Sequence, residues 1–214
     1  MELYGNDIYI DFDFGPGGSV ERPVTLEGFF QQIRNCQQCR LAGKRTQLVF
    51  GVGNPRATLM CIGEAPGVDE DRQGEPFVGK AGQLLNKILA AIGFERKEVY
   101  IANVIKCRPP NNRDPGPDEL AECLPFLHRQ IELISPKLIM ALGRVAAQSL
   151  LGRADSISIL RTKAHRFAEI PLVVTYHPAA LLRNTQLKRP TWEDAKKLRK
   201  MYDEIVGDKP IMDL

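Results

Sequence analysis

The chain has 214 residues, 43% of them hydrophobic, which is enough to bury one full core and too few for several domains of ordinary size. Its 29 basic and 26 acidic side chains leave a net charge of +3, so the total neither demands nor excludes an anionic partner; only a clustered basic face would favour one. No run of about 18 apolar residues is present, and the N-terminus, with Glu2, Asp7, Asp11 and Asp13, lacks the basic-then-apolar order of a secretion signal, so the chain reads as cytosolic with no membrane span.

Residues 1–24 alternate weakly and hold Gly15-Pro16-Gly17-Gly18, and are expected as a tail or docking arm; residues 25–207 are expected as one domain and 208–214 as a short C-terminal tail. Thr25 is a candidate helix cap, and Leu26, Phe29, Phe30 and Ile33 follow at helical spacing, so Cys36 comes at the end of a helix. Four short apolar runs, Thr58–Ile62, Val99–Ile105, Leu138–Leu142 and Leu172–Thr175, are too short for helices and rich enough in Ile, Val and Leu for strands buried on both faces. Between them lie helical patterns over Leu84–Ile92 closed by Gly93, over Pro117 to a stop before Pro136, and over Val145–Leu151. A last helix runs from about Thr191 to Val206 with Trp192, Leu198, Met201, Tyr202 and Ile205 inward. Strands alternating with helices predict a three-layer α/β/α sandwich around a central, mostly parallel four-stranded sheet.

In such sheets ligands sit beyond the carboxyl ends of the strands, and the unusual polar residues of this chain fall there. Gly63-Glu64-Ala65-Pro66-Gly67 follows the first strand as a tight turn open to backbone approach by a ligand, or as an ordinary loop turn. After it, Phe77 stands alone between Pro76 and Val78 in a long polar loop, either presenting its ring to a flat ligand or plugging the core. Asn103 interrupts the apolar run Ile101–Ile105, where a carboxamide must be hydrogen-bonded, either to a neighbouring loop or to the imide edge of a pyrimidine. His177 ends the fourth strand, placed to donate to a developing anion or to satisfy a loop carbonyl. His128 reads as a surface or packing residue, and His165 belongs to a basic loop. Arg108, Arg113, Lys163, Arg166, Arg183, Lys188 and Arg189 gather near the same edge and suit a phosphate backbone.

Five cysteines in a reducing compartment argue against a disulfide framework. Cys61 lies within a strand and reads as a buried thiol. Cys36-x-x-Cys39, with Cys107 after a strand and Cys123 on a helix, reads as a four-thiolate metal centre. Spacing alone leaves zinc and [4Fe–4S] both open, with metal-free buried thiols as the plain alternative.

Taken together, Gly63-Glu-Ala-Pro-Gly67, Glu70-Asp71, Pro76 through Leu85, Asn103-Val-Ile-Lys-Cys-Arg-Pro-Pro110 and His177-Pro-Ala-Ala-Leu-Leu-Arg183 resemble the family 4 uracil-DNA glycosylases over about residues 33–206, and Leu41 through Pro55 resembles that family's opening segment. The resemblance implies a monofunctional enzyme of base excision repair that turns uracil out of single- or double-stranded DNA, hydrolyses its N-glycosidic bond and leaves an abasic site. It implies Glu64 and His177 as catalytic, Glu64, Ala65, Pro66, Phe77, Asn103 and His177 as uracil-binding, and Lys163 and Arg183 as DNA-backbone contacts. It also implies a structural [4Fe–4S] cluster on Cys36, Cys39, Cys107 and Cys123, and a cytoplasmic, monomeric protein acting at the nucleoid. Related glycosylases of another family carry aspartate where Ala65 stands, so either a strong general base is missing or Glu64 or Glu70 substitutes, with Glu64 the first candidate to orient the attacking water. The competing expectations are a relative that traps uracil-DNA covalently through a histidine such as His165, and a non-catalytic iron–sulfur DNA-binding module.

Overall fold

The computed structural model describes residues 24–210 and Met212; the expected arm, Val24 apart, lies outside them. In chain order the elements are α1 (Leu26–Ile33), β1 (Val52–Gly53), β2 (Leu59–Gly63), α2 (Val68–Gln73), α3 (Lys80–Ala91), β3 (Tyr100–Asn103), α4 (Pro117–Ile134), β4 (Leu138–Leu142), α5 (Arg144–Leu151), α6 (Ile157–Arg161), β5 (His165–Phe167), β6 (Ile170–Thr175), α7 (Pro178–Arg183) and α8 (Lys188–Ile205). Thr25 caps α1 as its sequence suggests, its Oγ1 accepting from the Gly28 N–H at 3.1 Å.

The sheet has six strands in the order β1-β3-β2-β4-β6-β5. The four expected strands form its parallel centre, and short antiparallel strands flank it at both edges. These edge strands, of two and three residues, are too short to show alternation in sequence, so the expectation of four strands is corrected to six. His165 thereby belongs to an edge strand rather than a basic loop. The four central strands are buried throughout, apart from the first two residues of β6. Alternate residues serve different cores: Met60, Ile62, Ala102, Ile139 and Ala141 pack with Phe29, Phe126, Leu127 and Ile131 on the α1/α4 side, while Leu59, Cys61, Ile101, Leu138 and Met140 pack with Leu85, Leu89, Ala195, Leu198 and Tyr202 on the α3/α8 side. This is the expected three-layer arrangement. Ile205 departs from its expected inward place and is 40% exposed, because α8 turns Thr191, Asp194, Ala195, Leu198, Arg199 and Tyr202 to the sheet instead.

Order in the chain passes from β2 to β3 on one side and then to β4 on the other, which opens a crevice beyond the carboxyl end of β2. The far wall of that crevice, the end of β6, is fixed by a buried ion pair. Asp194 of α8 accepts from Arg161 Nε at 2.6 Å and from Thr175 Oγ1 at 2.7 Å, and Arg161 also donates to the Pro190 carbonyl and lies 4.5 Å over the Tyr176 ring. The side chains are 12% and 8% exposed, so removing one partner strands a buried charge. Asp194→Ala is expected to lower unfolding free energy by about 3 kcal/mol in urea denaturation, with Arg161 and Thr175 left unpaired.

Candidate active site

Glu64, Ala65, Pro66, Gly67, Glu70, Phe77, Asn103, Asp114, His177 and Arg183 line one pocket of about 330 Å3 at the carboxyl edge of the sheet. That size suits a single planar base. The pocket exists because β2 and β3 pair in parallel with Gly63 opposite Asn103, and the ladder continues beyond both: Val104 N–H donates to the Gly63 carbonyl at 2.9 Å and Ile105 N–H to that of Glu64 at 3.1 Å. Gly63 has to be glycine for steric reasons. A Cβ there would stand 2.5 Å from both Asn103 Oδ1 and the Phe77 ring.

Asn103 is 1% exposed, and its Oδ1 has no hydrogen-bond partner among the described residues. The alternative of a structural bond to a neighbouring loop is therefore not met by this oxygen, which is left with an unsatisfied acceptor at a ligand-sized pocket. The Asn103 carbonyl is held from behind by Lys106, fully buried, whose Nζ donates at 2.7 Å to it and at 2.5 Å to Gln130 Oε1. Burial pushes the Lys106 ammonium down to about 8.

The two acidic residues near the turn have opposite fates. Glu70 Oε2 accepts from Gly67 N–H at 3.1 Å, and its Oε1 accepts from the N–H groups of Val78 and Gly79, both at 2.9 Å. It thus clips the turn to the Phe77 loop and is committed to backbone. The segment read as a polar loop is here partly helical, since Gly67 starts α2 and Gly74 ends it at φ 75°. Glu64 makes no side-chain hydrogen bond among the described residues; burial and the nearby Asp114 raise its carboxyl to about 7, with Arg144 acting against them. Arg144 donates to Asp114 at 2.5 Å. Phe77 is nearly buried with its ring on the pocket, and its φ of 54° is unusual for a bulky residue, a conformation that costs about 1–3 kcal/mol.

His177 is the cap of α7. Ala179 N–H donates to its Nδ1 at 3.2 Å, so in the neutral ring the proton sits on Nε2. Burial, followed by the nearby Arg183, lowers the imidazole to about 4, with Glu70 opposing, so the ring is neutral at physiological pH. Its centroid lies 5.4 Å from that of Phe77, at an interplanar angle of 31°. Gly143 permits this position, since a Cβ there would come 2.9 Å from the His177 Cβ.

On the α1/α4 side the four cysteines meet in one hydrophobic cluster, with Cys107 and Cys123 buried and Cys36 and Cys39 half-buried. Burial raises the Cys107 and Cys123 thiols, Cys123 to about 12, with Arg45 acting against it at Cys107 and Lys106 at Cys123. Three sulfurs accept N–H hydrogen bonds: Cys123 from Lys106 N at 3.2 Å, Cys107 from Arg45 at 3.3 Å and Cys36 from Gln38 N at 3.5 Å. Among the described residues, no group of three or more His, Cys, Asp or Glu side chains is arranged to hold a metal ion. Cys61 is fully buried in β2, and burial pushes its thiol up to about 12, in keeping with an inert strand residue.

Residues 50–198 match the family model described as the uracil DNA glycosylase superfamily. Among curated proteins the chain is 44% identical over 193 residues to a type-4 uracil-DNA glycosylase of Archaeoglobus fulgidus, covering 86% of this chain and 95% of the relative. It is 44% identical to the type-4 enzyme of Sulfurisphaera tokodaii, over 83% of this chain and 84% of that one, and 43% identical to that of Saccharolobus solfataricus, over 87% and 89%. This chain belongs to the uracil DNA glycosylase superfamily, on its type-4 branch.

Of the basic residues expected at the mouth of this superfamily pocket, Arg183 and Arg113 line it. Arg113 is spent on Glu119 at 2.5 Å, together with Arg40, which ties the pocket's Pro109–Asp114 rim to the loop after Cys39. Lys163 does not line the pocket; its carbonyl accepts from Lys197 Nζ at 3.5 Å, beside the end of β6. His165 also lies off the pocket, with Nε2 2.8 Å from the Leu160 carbonyl, and His128 packs half-buried against Phe167 at 5.2 Å. The sequence reading missed Asp114, Arg144 and Arg96, two arginines and an aspartate that nothing in their spacing distinguishes from surface charge. Gly63→Ala is expected to push Asn103 and Phe77 apart and to reduce base release by at least about tenfold while the protein stays folded, as read by single-turnover assay beside circular dichroism.

Proposed function

We propose that this chain is a monofunctional uracil-DNA glycosylase of base excision repair, which admits a uracil nucleotide turned out of DNA, hydrolyses its N-glycosidic bond and leaves an abasic site. The observation that carries this reading is the unpartnered, buried Oδ1 of Asn103 in a base-sized pocket walled by Phe77 and His177. Uracil offers an N3–H donor beside an O4 acceptor, which the carboxamide complements; cytosine offers the reverse and leaves the amide unpaired. Extrusion costs a few kcal/mol of stacking, less from single strands, and the Phe77 ring recovers roughly 1–3 kcal/mol by stacking on the base. Ala65 and Pro66 complete the wall of the pocket.

Bond cleavage leaves an oxocarbenium-like sugar and a uracil anion. A neutral His177 with its proton on Nε2 donates a hydrogen bond to the uracil O2 as charge develops there. Glu64, whose carboxylate has no hydrogen bond among the described residues, orients and deprotonates the attacking water when ionised, whereas Glu70 is held by three backbone amides and serves the loop. Arg183 at the mouth and Lys163 beyond it contact DNA phosphates.

The four cysteines suit a [4Fe–4S] cluster. Three of the four sulfurs already receive N–H donors, as thiolates on a cluster do, and four irons hold thiolates over a wider span than one tetrahedral zinc. Cys36, Cys39, Cys107 and Cys123 would hold it, and it would supply a cross-link among the segment after α1, the loop after β3 and α4. The domain is read as residues 25–207 between two tails, and the protein as a cytoplasmic monomer; among the described residues no helix is long and apolar enough to cross a membrane.

The functional test incubates the protein with a labelled single-uracil oligonucleotide. Alkali-sensitive cleavage without an SDS-stable protein adduct is expected; an adduct indicates covalent trapping, and neither signal indicates a binding module. His177→Ala is expected to slow release on the order of 10²-fold. Between about pH 5 and 7 the rate should climb about tenfold per pH unit and then level, because Glu64 must be ionised and His177 is already neutral over that range. Glu64→Gln should lower the plateau on the order of 10²-fold and abolish that limb. Purified protein should contain iron and acid-labile sulfide at about four each per chain, both lost in Cys123→Ser; zinc in their place contradicts the cluster.

A further inference from the structure

Among the described residues with positive φ that are not glycine, Phe77 is the one large side chain; the others are Asn111, Asn112, Ser135 and Ala168. A left-handed phenylalanine persists only where its surroundings dictate the direction of the peptide groups on either side. Glu70 supplies half of this by taking the two amides that follow, Val78 and Gly79. The other half comes from Arg96, which lies in the turn before β3 and does not line the pocket. Its NH2 donates to the Pro76 carbonyl at 2.6 Å and its NH1 to the Phe77 carbonyl at 3.1 Å, while NH1 is itself steadied by Asn86 Oδ1 at 3.1 Å.

Two consecutive carbonyls are thus held by one planar guanidinium and the next two amides by one carboxylate oxygen. This double fork fixes the peptide planes around residue 77 in the sense that a left-handed residue requires. Only an arginine presents two coplanar donors at that spacing; a lysine in its place offers a single point charge. The α3 helix allows the approach through Gly82, where a Cβ would collide with the Phe77 carbonyl. On the pocket side the ring then stands over Gly63 and beside His177.

We propose that Arg96 is a positioning residue for base recognition: its guanidinium fork, opposed by Glu70, holds Phe77 in the left-handed turn so that the ring is a fixed stacking wall before the base arrives. The proposal rests on the reading of this pocket as a uracil site. Without the fork, Phe77 relaxes to ordinary φ, the ring leaves the wall, and each turnover must reorder it. The loss falls on the bound step and on affinity for the free base, and it exists only while there is a ring to place.

The test is a double-mutant cycle of wild type, Arg96→Gln, Phe77→Ala and the double variant, read by single-turnover uracil release, by inhibition with free uracil and by thermal unfolding. Arg96→Gln is expected to slow release roughly tenfold or more and to weaken inhibition by uracil in parallel, within what one base–aromatic stack is worth. In the Phe77→Ala background the same change should add less than about twofold. Arg96→Lys should recover only part of the rate. If Arg96→Gln does not fold, Asn86→Ala and Arg96→Lys carry the same cycle. An Arg96→Gln protein with wild-type rate and inhibition, or an equal loss with and without the ring, overturns the proposal and leaves the uracil reading intact. A wild-type protein that releases no uracil overturns that reading and the proposal with it.

Discussion

The parallel pairing of Gly63 with Asn103 is the constraint on which the site depends. Because the two residues stand side by side at the ends of β2 and β3, the Asn103 carboxamide and the turn after Gly63, which both line the pocket, share one backbone ladder, extended by the bonds from Val104 and Ile105. A side chain at position 63 would fill the space in which Asn103 Oδ1 and the Phe77 ring come together. Lys106 then ties Asn103 to Gln130, and its backbone N–H ties the same segment to Cys123, so the strand end that carries Asn103 is continuous with the four cysteines. Under the proposed reading, a [4Fe–4S] group held there would stiffen the loop after β3 without touching the base.

Around this ladder the protein separates charges by their surroundings. Glu70 is held by three amides and becomes part of the scaffold, while burial and then the nearby Asp114 raise the Glu64 carboxyl to about 7. His177 is kept neutral by burial and oriented by the first turn of its own helix. The proposed mechanism, a neutral donor for the leaving group and an ionisable carboxylate for water, needs its acids in different environments; Glu64 is buried beside Asp114, whereas Glu70 is spent on backbone amides.

The layers and the four central strands were legible in the sequence because each strand is a short, mostly apolar run that packs on both faces, a pattern few other structures produce. The edge strands were not, since Val52–Gly53 and His165–Phe167 are too short to carry a period. Glu64, Phe77, Asn103 and His177 stood out because each is an anomaly in its context, and the fold brings all four to one pocket. Glu70 was legible as a candidate but not in its place, because whether a carboxylate faces water or backbone depends on the turn of α2, which read as loop. Arg96, Asp114 and Arg144 act through contacts distant in sequence, and charges in polar stretches give no sign of that.

The most direct measurement compares wild type and Asn103→Ala, each in excess over oligonucleotides that carry uracil or cytosine at one and the same position, by single-turnover base release. The account expects wild type to release uracil at least about 10³-fold faster than cytosine, and Asn103→Ala to lose most of its rate on uracil without gaining on cytosine. Comparable release of both bases by wild type, or an Asn103→Ala protein that keeps full rate and selectivity, would contradict it.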